Sequence, residues 1–340
     1  MSTQSTQHPR TWTNGEPDFP VVYLSDGEGR EVAIAPGAGF NAFSFRVPHN
    51  GQSLETLIQP KDEADLKRGG FSFGYPLLFP LPNRVRNGDY TFEGQDYKLD
   101  INFKDGHAIH GLVCDRPWTL TESGADEQRG AWATATFDIR HFPDALRQYP
   151  FEFVATATYT LHRGALKLSF SAQNVGDRDL PMGFGIHPWF PFPFTDKGRR
   201  ADCRLQLPAN ARWKFESSTQ LIPTGEIVPV DGTDFDFRSE HALGALFMDE
   251  VYTGLSFDGN VHRSHIHDSA SGVTLSVEAS DSFREYVVYA PLDRDIICLE
   301  PYTSTTNAVN LNNEGIDAGL VVLQPGQSWH GDISIAVTAN

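Results

Sequence analysis

The stretch from Phe151 to Ser171 leaves the chain the least freedom. Phe151, Phe153, Ala155, Ala157, Tyr159 and Leu161 alternate with Glu152, Val154, Thr156, Thr158 and Thr160. Arg163-Gly164 offers a turn, and Leu166, Leu168 and Phe170 then alternate with Lys167, Ser169 and Ser171. A period of two sends successive side chains to opposite faces of an extended backbone, so the pattern predicts two long strands, each with one apolar face. A hairpin of this kind is not stable alone. It needs further strands beside it and a second layer over its apolar face.

The rest of the chain supplies short strands broken by turn residues. Val21–Leu24 and Glu31–Ala35 flank Ser25-Asp26-Gly27-Glu28-Gly29, which predicts a hairpin. Asn41–Val47 predicts another strand, and Tyr90, Phe92, Tyr97 and Leu99 predict a half-buried hairpin after Asn87-Gly88. Later strands are expected near 204–207, 211–215, 251–257, 273–278, 285–289 and 328–337. Only Asp62–Lys67 and Pro143–Gln148 read as short helical turns, and Phe71–Asn87, rich in Phe, Pro and Gly, reads as a structured loop. The expectation is an all-β protein: a large antiparallel sandwich or barrel with few short helices. Residues 1–17 are expected to be a loose polar tail and 18–340 a single domain, because no linker or repeat divides the chain.

Charge narrows the function. Against 27 Lys and Arg stand 44 Asp and Glu, a net −17, which disfavours a nucleic-acid or anionic-membrane partner. Cys114, Cys203 and Cys298 are odd in number and widely spaced, so reduced, buried thiols are expected rather than a disulfide framework or zinc site. Met1–Arg10 lacks the apolar stretch of a secretory signal, and no run approaches the ~18 apolar residues of a membrane helix. These features predict a soluble, cytoplasmic protein. There is no GxSxG elbow, P-loop or Rossmann glycine pattern, so a serine hydrolase, NTPase or NAD enzyme is not supported.

A few residues stand in settings suited to chemistry. The apolar run Ile296–Leu299 ends at Glu300, and Pro301 follows at once. A strand ending in an acid would fix that acid at the rim of a sheet, where a general base is useful, although a solvated strand end is the plain alternative. His110 is followed by Gly111, which permits a close backbone approach or an unusual turn. His187 sits in Ile186-His187-Pro188-Trp189-Phe190, held by a proline among aromatic rings, and Trp189 or Phe190 would offer a flat apolar wall. Arg84 follows Pro80-Leu81-Pro82-Asn83 and could aim its fork at a ligand oxygen; Asp249, after Leu246-Phe247-Met248, could accept from hydroxyls. His262, His265 and His267 form H-x-x-H-x-H in a polar stretch that reads as a loop, with no ligand beyond Asp268 nearby, so no metal is expected there.

Taken in order, these residues resemble the aldose 1-epimerase (galactose mutarotase-like) family over roughly Tyr23–Val337. Asn83-Arg84-Val85 with Gly88-Asp89-Tyr90-Thr91-Phe92-Glu93-Gly94 and Tyr97-Lys98-Leu99 is similar to the family's N-R and G-x-(Y/F)-x-F-x-G run. Ile109-His110-Gly111, His187-Pro188-Trp189-Phe190, Met248-Asp249-Glu250, Leu299-Glu300-Pro301 and Leu323-Gln324-Pro325-Gly326 resemble its later motifs. Leu112 follows Gly111 where the family often has a second glycine, and Glu250 follows Asp249 where it often has a second aspartate. The resemblance implies a β-supersandwich with an open sugar cleft, and an aldose 1-epimerase that interconverts the α and β anomers of a free aldose. It implies Glu300 as base, His187 as acid, His110 near C1, and Arg84, Asp249 and Trp189 as sugar-binding residues. It implies no metal or organic cofactor, a small-molecule sugar as the only partner, and a monomer or homodimer. A hexose-6-phosphate epimerase, which would need basic side chains at the cleft, and a non-catalytic sugar-binding protein are the alternatives.

Overall fold

The alternating segment forms strands Phe153–His162 and Ala165–Asn174, paired antiparallel from Phe153↔Asn174 to His162↔Ala165. In the computed structural model, which describes residues 8–339, this hairpin belongs to a nine-stranded sheet. Gly130–Asp138 and Thr119–Asp126 continue the sheet on one side. Ser328–Ala339, Val273–Ser280, Val261–Asp268, Cys203–Gln206 and His241–Ala242 follow on the other. A second sheet of eight strands runs from Pro223–Pro229 through Ala209–Phe215, Met248–Leu255, Glu285–Ala290 and Ile296–Tyr302 to Gly185–Ile186 and Leu77–Leu78; Trp189–Pro191 also pairs with Ile296–Tyr302. Every pairing between these strands is antiparallel.

The core lies between these sheets. Ala155, Ala157, Tyr159, Leu161, Leu166 and Leu168 are fully buried and share one apolar cluster with Tyr286, Val288, Ile297 and Leu299 of the second sheet. Burying a side chain of leucine size stabilises the fold by roughly 1.5–3 kcal/mol, so this interface is what holds the sheets face to face. The fold is the expected all-β sandwich, with three six-residue helices, Glu63–Arg68, Pro143–Gln148 and Ala308–Asn313. All three cysteines are buried and free. Among the described residues no helix is long and apolar enough to cross a membrane.

Two expectations need correction. The segment up to Pro17 is not a tail throughout: Arg10–Glu16 is a strand paired with Phe19–Ser25 from Arg10↔Ser25 to Glu16↔Phe19, the edge of a five-stranded sheet. Its Trp12 stacks on Tyr23 at 5.2 Å, a contact that offsets the polar composition. Residues 1–7 of the expected tail lie outside the described residues. His262, His265 and His267 are not in a loop but on Val261–Asp268. His262 points into the protein with Ser264 and Ile266, while His265 and His267 point the other way to Glu240 and Thr274, so the three cannot converge on one ion.

Candidate active site

The site follows from the register of the second sheet. On Ile296–Tyr302, Ile297 and Leu299 face the main core. The alternate residues Ile296, Cys298, Glu300 and Tyr302 face the opposite side, which makes room for a carboxylate in an otherwise apolar strand. Across the strand, Asp249 pairs with Tyr289 and Tyr289 with Cys298, while Val251 pairs with Val287 and Val287 with Glu300. On the other flank Gly185 pairs with Tyr302 and Trp189 with Cys298, so continuing that register through Pro188 sets His187 opposite Glu300. Backbone pairing alone therefore brings Glu300 and His187 together and places Asp249 one row away.

Arg84 and His110 arrive from a second, smaller ladder. Arg84–Val85 pairs with Ala108–Ile109, Ile109 opposite Arg84, and the His110 N–H donates to the Asn83 carbonyl at 2.9 Å. His110 (φ 65°), Gly111 (φ 72°) and Asn83 (φ 58°) all take left-handed backbone, which turns the His110 ring inward. The Arg84 Nε donates to Asp105 Oδ2 at 2.7 Å, and Arg84 Nη1 donates to Asn83 Oδ1 at 3.2 Å. This ion pair offsets the cost of holding a guanidinium in a largely buried place. The salt bridge and the inward-facing position thus hold together for Arg84.

All six residues singled out from the sequence, Arg84, His110, His187, Trp189, Asp249 and Glu300, line one open cavity of 530 Å³. His187 Nδ1 lies 3.5 Å from Glu300 Oε1, too long for a hydrogen bond. Glu300 is 1% exposed and His187 6%, yet neither of these atoms, nor His110 Nδ1, has a hydrogen-bond partner among the described residues. Buried polar atoms are seldom left unpaired, so three on residues that line one cavity mark a place for a polar ligand.

Burial also sets the charges. It pushes the Glu300 carboxyl well above its ordinary value, with the Tyr302 hydroxyl pulling the other way. It depresses the His187 imidazole to about 3 and the His110 imidazole well below its usual range. Burial raises the Asp249 carboxyl to about 6, opposed by Arg84. Asp249 is therefore a carboxylate above pH ~6 and a neutral acid below it, and only the carboxylate accepts from two hydroxyls with a full charge. If Asp249 accepts from a sugar's hydroxyls, affinity for a non-reacting 1-deoxy sugar, followed by calorimetry, is expected to drop about tenfold as the pH falls through 6. In Asp249→Asn it should be uniformly weak and free of that step.

Trp189 lines the cavity and also packs on the imidazole. The His187 ring stacks on the indole at 4.9 Å and 4°, and the Arg294 guanidinium lies 4.7 Å from the indole centroid. Besides lining the cavity, the indole serves as a bed for the imidazole, which His110 meets edge-on at 5.1 Å. Residues without a sequence signal complete the lining, among them Phe71, Phe103, Lys104, Tyr289 and Arg294. They sit in loops or at strand ends with no pattern to single them out. His187, Cys298 and Glu300 bring possible metal-ligand atoms within 4.8 Å of one another. Burial raises the Cys298 thiol well above its usual range.

An all-β sandwich whose register sets a buried carboxylate beside unpartnered histidines, in a cavity open to small molecules, is a scaffold for acid–base chemistry. Residues 20–336 match the sequence model of the family described as Aldose 1-epimerase, and the chain belongs to that family. The Escherichia coli (strain K12) protein YihR is 26% identical over 310 residues, 90% of each chain. The galactose mutarotase of Sus scrofa is 30% identical over 209 residues, which are 58% of this chain and 56% of that protein. The match with that mutarotase thus spans little more than half of its length. A galactose mutarotase-like protein from Clostridium acetobutylicum superposes with a TM-score of 0.85, covering 97% of this chain and 99% of that one at 24% identity, a likeness of fold.

Proposed function

We propose that the protein is a mutarotase that interconverts the α and β anomers of a free aldose. The observation that carries this reading is that Glu300, His187 and His110 line one cavity and each carries a buried, unpartnered polar atom, Oε1, Nδ1 and Nδ1 in turn. Mutarotation removes a proton from the C1 hydroxyl and delivers one to the ring oxygen as the bond between C1 and that oxygen breaks and C1 becomes a carbonyl; after rotation about the C1–C2 bond both proton transfers reverse and the ring bond re-forms on the other face. The two oxygens share one carbon, so two groups 3.5 Å apart can serve both in turn. Glu300 takes the hydroxyl proton and His187 supplies the ring-oxygen proton, with roles exchanged on closure. Because burial resists charge on both groups, the working form is the pair holding a single proton between them, whichever carries it first. His110 steadies the charge that develops near C1, and Arg84 and Asp249 hold hydroxyls. This chemistry needs neither metal nor organic cofactor, and the chain from the Arg10–Glu16 strand onward is taken as one cytoplasmic domain acting as a monomer or homodimer.

The test is polarimetry of freshly dissolved α-D-galactose and α-D-glucose. Faster relaxation to the same final rotation is expected; no acceleration with these or other free aldoses would remove the reading. One observation favours a second substrate. Lys104 and Arg294 border the cavity and make no ion pair among the described residues, whereas Arg86 is turned to Glu216 at 2.5 Å. Acceleration of glucose 6-phosphate but of neither free hexose would move the reading to a sugar-phosphate epimerase.

A further inference from the structure

Tyr302 lies on the same face of its strand as Glu300, two residues on, and is fully buried. Its phenol O–H donates to Glu300 Oε2 at 2.7 Å. Space for the ring comes from the facing strand. Gly185 is its register partner, and a Cβ at that position would come within 2.3 Å of the Tyr302 ring. Any residue but glycine there would displace the phenol from Glu300. The bond occupies one carboxylate oxygen and leaves the other, Oε1, unpartnered and 3.5 Å from His187 Nδ1, on two residues that line the cavity.

We propose that Tyr302 is a positioning residue for the acid–base group: it aims Glu300 Oε1 at the sugar and stabilises the ionised carboxylate against burial. The proposal rests on the assignment of Glu300 as that group. A hydrogen bond to the charged form favours ionisation, and here it is the one side-chain bond Glu300 receives among the described residues. Without it the carboxyl would hold its proton to higher pH and be free to rotate. The other ionisable groups around the pair are Cys298 on the same strand, Glu285 opposite Tyr302, Tyr286, Asp249, Arg84 and His187. All of them persist in Tyr302→Phe, so a change in that variant reports the hydroxyl.

Tyr302→Phe keeps the ring against Gly185. The ionisation of Glu300 is read by infrared titration, following the carboxyl band that vanishes in Glu300→Gln. Its midpoint is expected to rise by on the order of one to two pH units in Tyr302→Phe. With an accepted aldose, kcat should drop about tenfold to a hundredfold with little change in KM. A purely structural role would lower the melting temperature and leave the Glu300 midpoint in place, and that result overturns the proposal. The infrared reading needs no turnover. A raised midpoint in a protein that accepts no aldose would therefore uphold the role of Tyr302 and count only against the mutarotase reading.

Discussion

Glu300→Gln is expected to lower mutarotation by about 10²–10⁴-fold, the worth of one positioned acid–base group. That corresponds to roughly 3–5.5 kcal/mol of barrier. Glutamine keeps the length and planarity of the side chain and can still accept from the Tyr302 hydroxyl, so the sugar site is preserved and KM should change little. What is lost is the ability to take and return a proton. Stability should move the other way. The Glu300 carboxyl is raised above its ordinary value of 4.5 by burial, so between that value and its folded midpoint the native state holds a proton that the unfolded chain has released. The stability this provides is complete below pH 4.5 and is lost as the pH rises. Glutamine carries no such dependence, so the melting temperature of Glu300→Gln relative to wild type should increase from pH 5 toward pH 8, on the scale set by the midpoint. An inactive variant that gains stability with pH separates lost chemistry from lost folding. A variant that is both inactive and less stable at pH 8 would show Glu300 acting as a structural anchor instead.

The fold was most legible where one face of a strand meets water. Phe153–Leu161 alternates buried apolar residues, with Phe153, Tyr159 and Leu161 marking the face, against mostly polar ones because the sheet separates core from solvent there, and the predicted hairpin matches the observed one closely. The signal fails where that contrast is missing. Thr119–Asp126 is an edge strand with little buried surface, and its neighbour Gly130–Asp138 turns Ala131, Ala133 and Ala135 to the core, too small to stand out in sequence. Val261–Asp268 hides its period by burying His262, Ser264 and Asp268, which made the stretch read as a polar loop. The helix Ala308–Asn313 is too short to show a helical repeat. The site was legible differently: Arg84, His110, His187, Asp249 and Glu300 were singled out as charged or imidazole groups in apolar or rigid settings and Trp189 as a flat wall beside His187, and a family resemblance put them in order. Their convergence depends on pairings such as Gly185↔Tyr302 and Trp189↔Cys298, between residues more than a hundred positions apart, which no local pattern encodes. Asp105, which anchors Arg84, carries no signal either, because one aspartate in a polar loop looks like any other.

Gly111→Ala is expected to be the most damaging single change to the scaffold around the cavity. Gly111 has φ +72°, and an added Cβ would sit 2.2 Å from the Phe79 carbonyl oxygen and 2.4 Å from its carbon. Those are backbone atoms that cannot rotate away. The approach is held by the Leu112 N–H, which donates to the same carbonyl at 2.7 Å. A methyl group must therefore break this bond or push the two segments apart, on top of the cost of a left-handed backbone. Strain of about 1–3 kcal/mol plus a lost buried hydrogen bond of about 1 kcal/mol gives a destabilisation on the order of 3 kcal/mol. His110 precedes this contact directly and should lose its aim, so activity is expected to fall even in the fraction that folds. The control is Gly94→Ala, with nearly the same φ of +75° but nothing within 4 Å of the added Cβ. It bears the backbone strain alone and should cost about 1 kcal/mol with full activity retained. Urea unfolding of the two variants measures the difference, which is the cost of separating the Gly111 turn from Phe79. Equal losses would mean that Gly111 is needed only for its dihedral angle, and that His110 is aimed by its own backbone and the Asn83 carbonyl without help from the Phe79 contact.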